Sequence, residues 1–197
     1  MPKLTYPIQG AQCVSAYLIF TYMTQEEPEA LKLETASEDS VRLDALAHKK
    51  TGEGTSEHIL SSGYLEVGEG QRVYYVEWGN PKGTPFMALH GGPGAGFGAS
   101  HIALFDPAIH HVVFFDQRGC GASTPPADSL DEKGVEAVAN TGNMLADTEA
   151  LQTKIFGAQK VHVAGGSWGS TLALTYAIEH PEKVASLQLW SAFLATA

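Results

Sequence analysis

Cysteine is scarce in this chain of 197 residues: Cys13 and Cys120 are its two. Two thiols build neither a disulfide framework nor a metal-ligand set, which excludes a stapled secreted scaffold and a cysteine-ligated zinc module. Positive charge is scarce as well. Twelve Lys and Arg stand against 22 Asp and Glu, a formal net charge of -10. That balance argues against nucleic acid and anionic membrane surfaces as partners. The apolar run near the N-terminus, "CVSAYLIFTYM" (Cys13 to Met23), is too short to span a bilayer. Lys3 is the one positive charge before it, and "TQEEPEA" follows instead of a small-residue cleavage site. It reads as a short strand or a disordered leader, not a secretory signal. These absences suit a reducing, cytoplasmic setting. What remains is ordinary for a soluble globular protein: 44% hydrophobic and 17% charged, with length enough for one domain and a sizeable core.

The composition shifts near residue 58. Thr24 to His58 carries nine acidic and four basic residues, about half of the net charge. "LKLETASEDSVRLDALAHKK" has a thin apolar stripe that suits a short helix at most, and "TGEGTSE" is a linker by composition. Residues 1–58 are therefore expected to form a weakly structured extension without chemistry, and residues 59–197 the domain. There the texture is different. "GYLEV" and "QRVYYVEWG", separated by "GEG", signal a hairpin. "TPFMALH", "HHVVFFDQ", "KVHVAGG" and "KVASLQLW" read as buried strands. "NTGNMLADTEALQTKIFG" places Met144, Leu145, Thr148, Leu151 and Ile155 on one helix face, with Asn140 or Thr141 as cap and Gly157 as stop. "WGSTLALTYAIEHP" is a second helix, burying Leu172, Ala173, Tyr176 and Ala177 and ending before Pro181. Strands alternating with helices predict an α/β fold, a mostly parallel sheet flanked by helices.

Three motifs carry chemistry. Gly165-Gly166-Ser167-Trp168-Gly169 is a G-x-S-x-G match set between an apolar strand and a helix. With almost no loop between them, Ser167 is forced to positive φ, its hydroxyl stands at the sheet edge near a helix N-terminus, and glycine is needed at 165 and 169. "LHGGPGAG" (Leu89 to Gly96) is a turn whose backbone N–H groups can face an oxyanion. Phosphate binding is the rival reading, but neither a Walker lysine nor G-x-G-x-x-G spacing is present. His90 precedes this turn on a buried strand and reads as structural. In "FFDQRGCGAS" (Phe114 to Ser123), Asp116 and Arg118 are expected to pair with each other or to bind backbone groups and so fix the loop, with a catalytic Asp116 the lesser alternative. Cys120 reads as a packed thiol. His48, His58, His101, His110, His111, His162 and His180 lie in no motif that marks a base.

Together these motifs make residues 59–197 resemble the α/β-hydrolase superfamily and, within it, the prolyl aminopeptidases (proline iminopeptidases). "HGGPGAG", "LFDPAIHHVVFFDQRGCGAS" and "VAGGSWGSTLALTYAIEHPEKV" carry the resemblance, and "GYLEVGEGQRVYYVEWGNPKGTP" is similar to the family's opening strands. The resemblance implies a serine peptidase that releases N-terminal proline from a peptide substrate, with no metal and no cofactor. Ser167 matches the nucleophile, and the backbone N–H groups of Gly92 and Trp168 match the oxyanion hole.

The resemblance also implies what should follow. In this fold the nucleophile precedes the acid and then the histidine in chain order. After Ser167 this sequence has 30 residues, which end in "LQLWSAFLATA". The family's helical cap and the catalytic Asp and His find no match here, and Trp190 stands where a basic residue is common. The expectation is a partial α/β-hydrolase fold with weak or no activity, whose "ASLQLW" strand forms an exposed apolar edge. Two readings compete with it. One is an esterase or another α/β hydrolase of different specificity. The other is a non-catalytic pseudoenzyme or interaction module.

Overall fold

A computed structural model describes residues 18–19 and 38–192. Cys13 and most of the apolar run around it lie outside the described residues. In chain order the elements are β1 (Leu18–Ile19), α1 (Glu38–Thr51), β2 (Ile59–Glu66), β3 (Arg72–Gly79), β4 (Thr84–Leu89), α2 (Ala99–Ile102), β5 (His110–Phe115), α3 (Glu132–Val138), α4 (Thr141–Phe156), β6 (Val161–Gly166), α5 (Trp168–Glu179) and β7 (Val184–Trp190). The strands form one sheet in the order β1-β7-β6-β4-β5-β3-β2. The central four, β7, β6, β4 and β5, run parallel. The β2–β3 hairpin joins antiparallel beside β5, and β1 pairs antiparallel with β7. The predicted α/β architecture is the observed one.

The apolar strands are continuous runs because both faces of the sheet are covered. On one face Met87, Leu89, Val113, Phe115, Val161 and Val163 pack against Leu145 and Leu151 of α4 and Leu172 and Tyr176 of α5. On the other, Phe86, Ala88, Val112 and Phe114 meet Ala47 of α1, Ile102 of α2 and Phe105. Burying each such Leu or Phe contributes roughly 1.5–3 kcal/mol. The α4 boundaries fall where its sequence places them. The Asn140 side chain accepts a hydrogen bond from Asn143 N, and Gly157 ends the helix at φ +61°. In α5 Leu172, Ala173 and Tyr176 are buried as expected, whereas Ala177 is only half-buried.

Two expectations need correction. Part of the stretch expected to be weakly structured, residues 38–51, is a helix that covers the second sheet face. Leu43, Leu46 and Ala47 recur at helical spacing and rest on that face, and the Trp78 indole donates to Thr55 O at 2.7 Å. The stripe is thin because α1 has only one flank to bury. The edge of β7 is not bare either, since Leu18 and Ile19 pair with Leu189 and Gln188.

Strand order reverses at β4. From β4 the chain moves to β5 on one side, then crosses back through α4 to β6 on the other. In open α/β sheets such a switch leaves a crevice at the C-terminal strand ends, where ligands bind. Two of the three motifs follow the strands that border it.

Candidate active site

Ser167 caps α5 directly after β6, with no intervening loop residue. It holds φ +53° and ψ -124°, a region that suits glycine and is strained for serine. Close approach explains its neighbours. A Cβ at Gly165 would overlap the carbonyl oxygen of Gly169, and one at Gly169 would overlap that of Leu89. The strand, the helix and the end of β4 thus touch backbone to backbone, which fixes the turn.

The serine side chain is exposed, and its hydroxyl has no hydrogen-bond partner among the described residues. The backbone around it is well held. Ser167 N donates to Trp190 O at 3.2 Å, and Ser170 N and Oγ both donate to Ser167 O, at 2.9 and 2.6 Å. The Trp168 N–H, at the first position of α5, lies at the positive end of the helix dipole.

The glycine turn after β4 lies against this elbow. A Cβ at Gly91 would stand 3.3 Å from Ser167 Cβ and 3.0 Å from Gly166 O. Gly92 follows at φ +121°, and there a Cβ would press on Gly94 N at 2.7 Å and Ala95 N at 2.8 Å. Neither Gly92 N–H nor Trp168 N–H donates to a backbone carbonyl among the described residues. An exposed hydroxyl and two N–H groups without a backbone acceptor thus lie on two turns that touch, an arrangement suited to acyl transfer.

His90 lies under the turn as a structural group. Its Nε2 accepts from Gln117 N at 3.0 Å, so Nδ1 carries the proton and donates to Gly91 O at 2.8 Å. Burial pushes its pKa below the ordinary histidine value and keeps the ring neutral. None of the eight histidines hydrogen-bonds to Ser167.

The loop after β5 takes the second of its two expected arrangements, with Asp116 and Arg118 bound to backbone groups. Asp116 and Arg118 do not pair with each other. Asp116, fully buried, accepts from Phe97 N at 2.9 Å and Ala122 N at 2.7 Å, and it pairs with Lys50 at 2.8 Å. It is a structural carboxylate, bonded to two loop amides and to the ammonium of Lys50 in α1. Arg118 grips Asp147 through two bonds, at 2.7 and 2.8 Å, and reaches Glu69 and Val67 O. Those bonds raise the Arg118 pKa, while burial pushes Asp147 up against them. Asp147 and Lys50 were not picked out from sequence. Lys50 carries a readable signal, for it continues the Leu43, Leu46, Ala47 stripe by helical spacing. Burial also pushes the Cys120 thiol up, which makes it a poor nucleophile, in keeping with a packed thiol.

A family model described as alpha/beta hydrolase fold matches residues 84–197, from β4 through the elbow and beyond. The chain belongs to the α/β-hydrolase fold family. Proline iminopeptidase from Neisseria meningitidis serogroup A is 45% identical over 133 residues, 68% of this chain and 40% of that protein. The Arabidopsis thaliana proline iminopeptidase is 43% identical over 134 residues, 68% of this chain and 33% of the relative. The chain thus spans about two fifths of the length of such family members, or less. Among solved structures, a proline iminopeptidase-related protein from Thermus thermophilus is 27% identical with a TM-score of 0.53, covering 62% of this chain and 41% of that one. Epoxide hydrolase A from Mycobacterium thermoresistibile is 30% identical with a TM-score of 0.51, covering 64% and 37%. No described helix is long and apolar enough to cross a membrane, and no group of His, Cys, Asp and Glu among the described residues could hold a metal ion.

Proposed function

We propose that the chain carries the nucleophile half of a serine hydrolase of the prolyl aminopeptidase type, acting on peptides with an N-terminal proline in the cytoplasm. The observation that carries this reading is the exposed, unpartnered Ser167 hydroxyl, held at positive φ against the Gly91–Gly92 turn. Similarity to proline iminopeptidases supports the substrate class. Serine at this position, where an epoxide hydrolase would use aspartate, favours a peptidase or esterase over the epoxide chemistry of some structural neighbours. The low cysteine content supports the cytoplasmic setting.

In the reaction, Ser167 Oγ attacks the carbonyl carbon of the terminal proline, and a base takes its proton. The Gly92 and Trp168 N–H groups hold the tetrahedral oxyanion. The proton returns to the leaving amine, and water then releases proline from the acyl-serine. No described imidazole is placed to accept the Ser167 proton. Loss of a triad member costs on the order of 10⁴ to 10⁶ in rate, so these 197 residues alone are expected to turn over slowly or not at all.

Treatment with a fluorophosphonate, followed by peptide mapping, tests the reading. Slow modification at Ser167 is expected, absent in Ser167→Ala, with little proline released from a prolyl amide. An unmodified Ser167 after prolonged exposure, or proline release that survives Ser167→Ala, would sink it.

A further inference from the structure

We propose that Lys50 of α1 is a positioning residue for the glycine turn, so that an element preceding the family match sets the geometry of the candidate oxyanion donors. The proposal rests on the reading of that turn as the oxyanion site. Helix α1 ends at residue 51, whereas the family match begins at residue 84.

The turn from Gly91 to Gly98 is poor in side chains that could hold it. Its hydroxyl-free, glycine-rich backbone needs outside anchors, and Phe97 supplies the anchoring point. Phe97 N donates to Asp116 Oδ1 at 2.9 Å, and Phe97 O accepts from Lys50 Nζ at 3.0 Å. The ammonium also contacts both Asp116 oxygens, at 3.1 and 2.8 Å, which closes a ring of charge-assisted bonds around one peptide. The same ammonium sits 4.4 Å from the centroid of the Phe97 ring. Lys50 therefore holds Phe97 by carbonyl, by ring and, through Asp116, by amide.

Asp116 is the shared node. Its second oxygen accepts Ala122 N, so one carboxylate ties the glycine turn to the loop after β5. It is fully buried, and Lys50 is its one ion-pair partner among the described residues. A buried carboxylate without its cation keeps an uncompensated charge and draws in water, which weakens its bond to Phe97 N and frees the turn. The cation is thus needed where the bonds are, at the far end of the turn from Ser167.

Amide hydrogen exchange on the full chain, compared with Lys50→Met and Lys50→Arg, tests this. Exchange at Phe97 and Ala122 is expected to rise about ten-fold in Lys50→Met, with α4 and α5 nearly unchanged and Lys50→Arg recovering part of the protection. If Lys50→Met melts the whole domain, Lys50→Gln, which keeps a donor for Phe97 O without the charge, carries the same comparison. Unchanged exchange at both amides, or a rise spread evenly through α4 and α5, overturns the proposal. In parallel, fluorophosphonate modification of Ser167 is expected to slow in Lys50→Met by a lower maximal rate, with little change in the reagent concentration for half-saturation. An unmodified Ser167 in the parent chain would defeat the hydrolase reading and leave the exchange comparison standing.

Discussion

The loops that leave β5 and β6 flank β4 on opposite sides, and they use their polar groups in opposite ways. After β5, Asp116, Arg118 and Ser123 are buried, and each is bonded to a distant part of the chain. After β6, Ser167 is exposed, strained and bonded only through its backbone. The first loop uses charge to fix a shape. The second holds its shape by close backbone packing and leaves its one hydroxyl uncommitted. Polar groups satisfied on all sides stabilise, whereas a reactive group must be held without being satisfied.

Removing the Asp116 carboxylate should have the largest effect. Asp116→Ala leaves the Phe97 and Ala122 N–H groups without their acceptor and the Lys50 ammonium without its counter-ion, at an expected cost of about 3–5 kcal/mol. Urea denaturation measures it, and a loss under about 1 kcal/mol would show that the loop does not depend on this charge.

Ser167→Gly should move the opposite way and by less. It relieves the positive-φ strain and is expected to stabilise by about 1 kcal/mol while abolishing fluorophosphonate modification. A destabilised Ser167→Gly would mean that the hydroxyl takes part in structure after all, and the contrast between the loops would collapse.

The smallest effect is expected from pH, at the histidine between the loops. The folded pKa of His90 lies below its ordinary value of 6.5, chiefly because burial disfavours the charged ring. Above the ordinary value both states are neutral there. As pH falls below it, the unfolded chain takes a proton that native His90 refuses, so stability is lost toward acid. His101, His110 and His162 are depressed in the same direction, each chiefly by burial. Thermal melts from about pH 7.5 to about pH 5.5 should show a falling Tm, and a constant or rising Tm would break the expectation.

Much of this was legible in the residues. The strands declared themselves because two-sided burial forces unbroken apolar runs, as in "HHVVFF". The α4 cap and stop were written in Asn140 and Gly157. The elbow was legible because backbone contact between strand and helix admits only glycine at 165 and 169. What was hidden depended on distance in the chain. Nothing beside Asp116 marks Lys50, 66 residues earlier, as its partner. Nothing beside Arg118 marks Asp147, because an acidic residue on a helix normally reads as solvated surface. Helix α1 was undervalued because the fourth position of its stripe is a lysine. Periodicity counts that residue as polar, although its stem and charge are both used indoors.

Helix α1 also separates two meanings of the word domain. The stretch that resembles known hydrolases begins after α1, yet the helix covers the Tyr74–Val76–Trp78 face of the sheet and brings a cation to Asp116. A gene trimmed to the boundary of homology would encode a protein with one sheet face open and a buried carboxylate without its counter-ion. The unit that is recognised by descent is therefore smaller than the unit that folds. Expression boundaries for this protein belong upstream of Glu38.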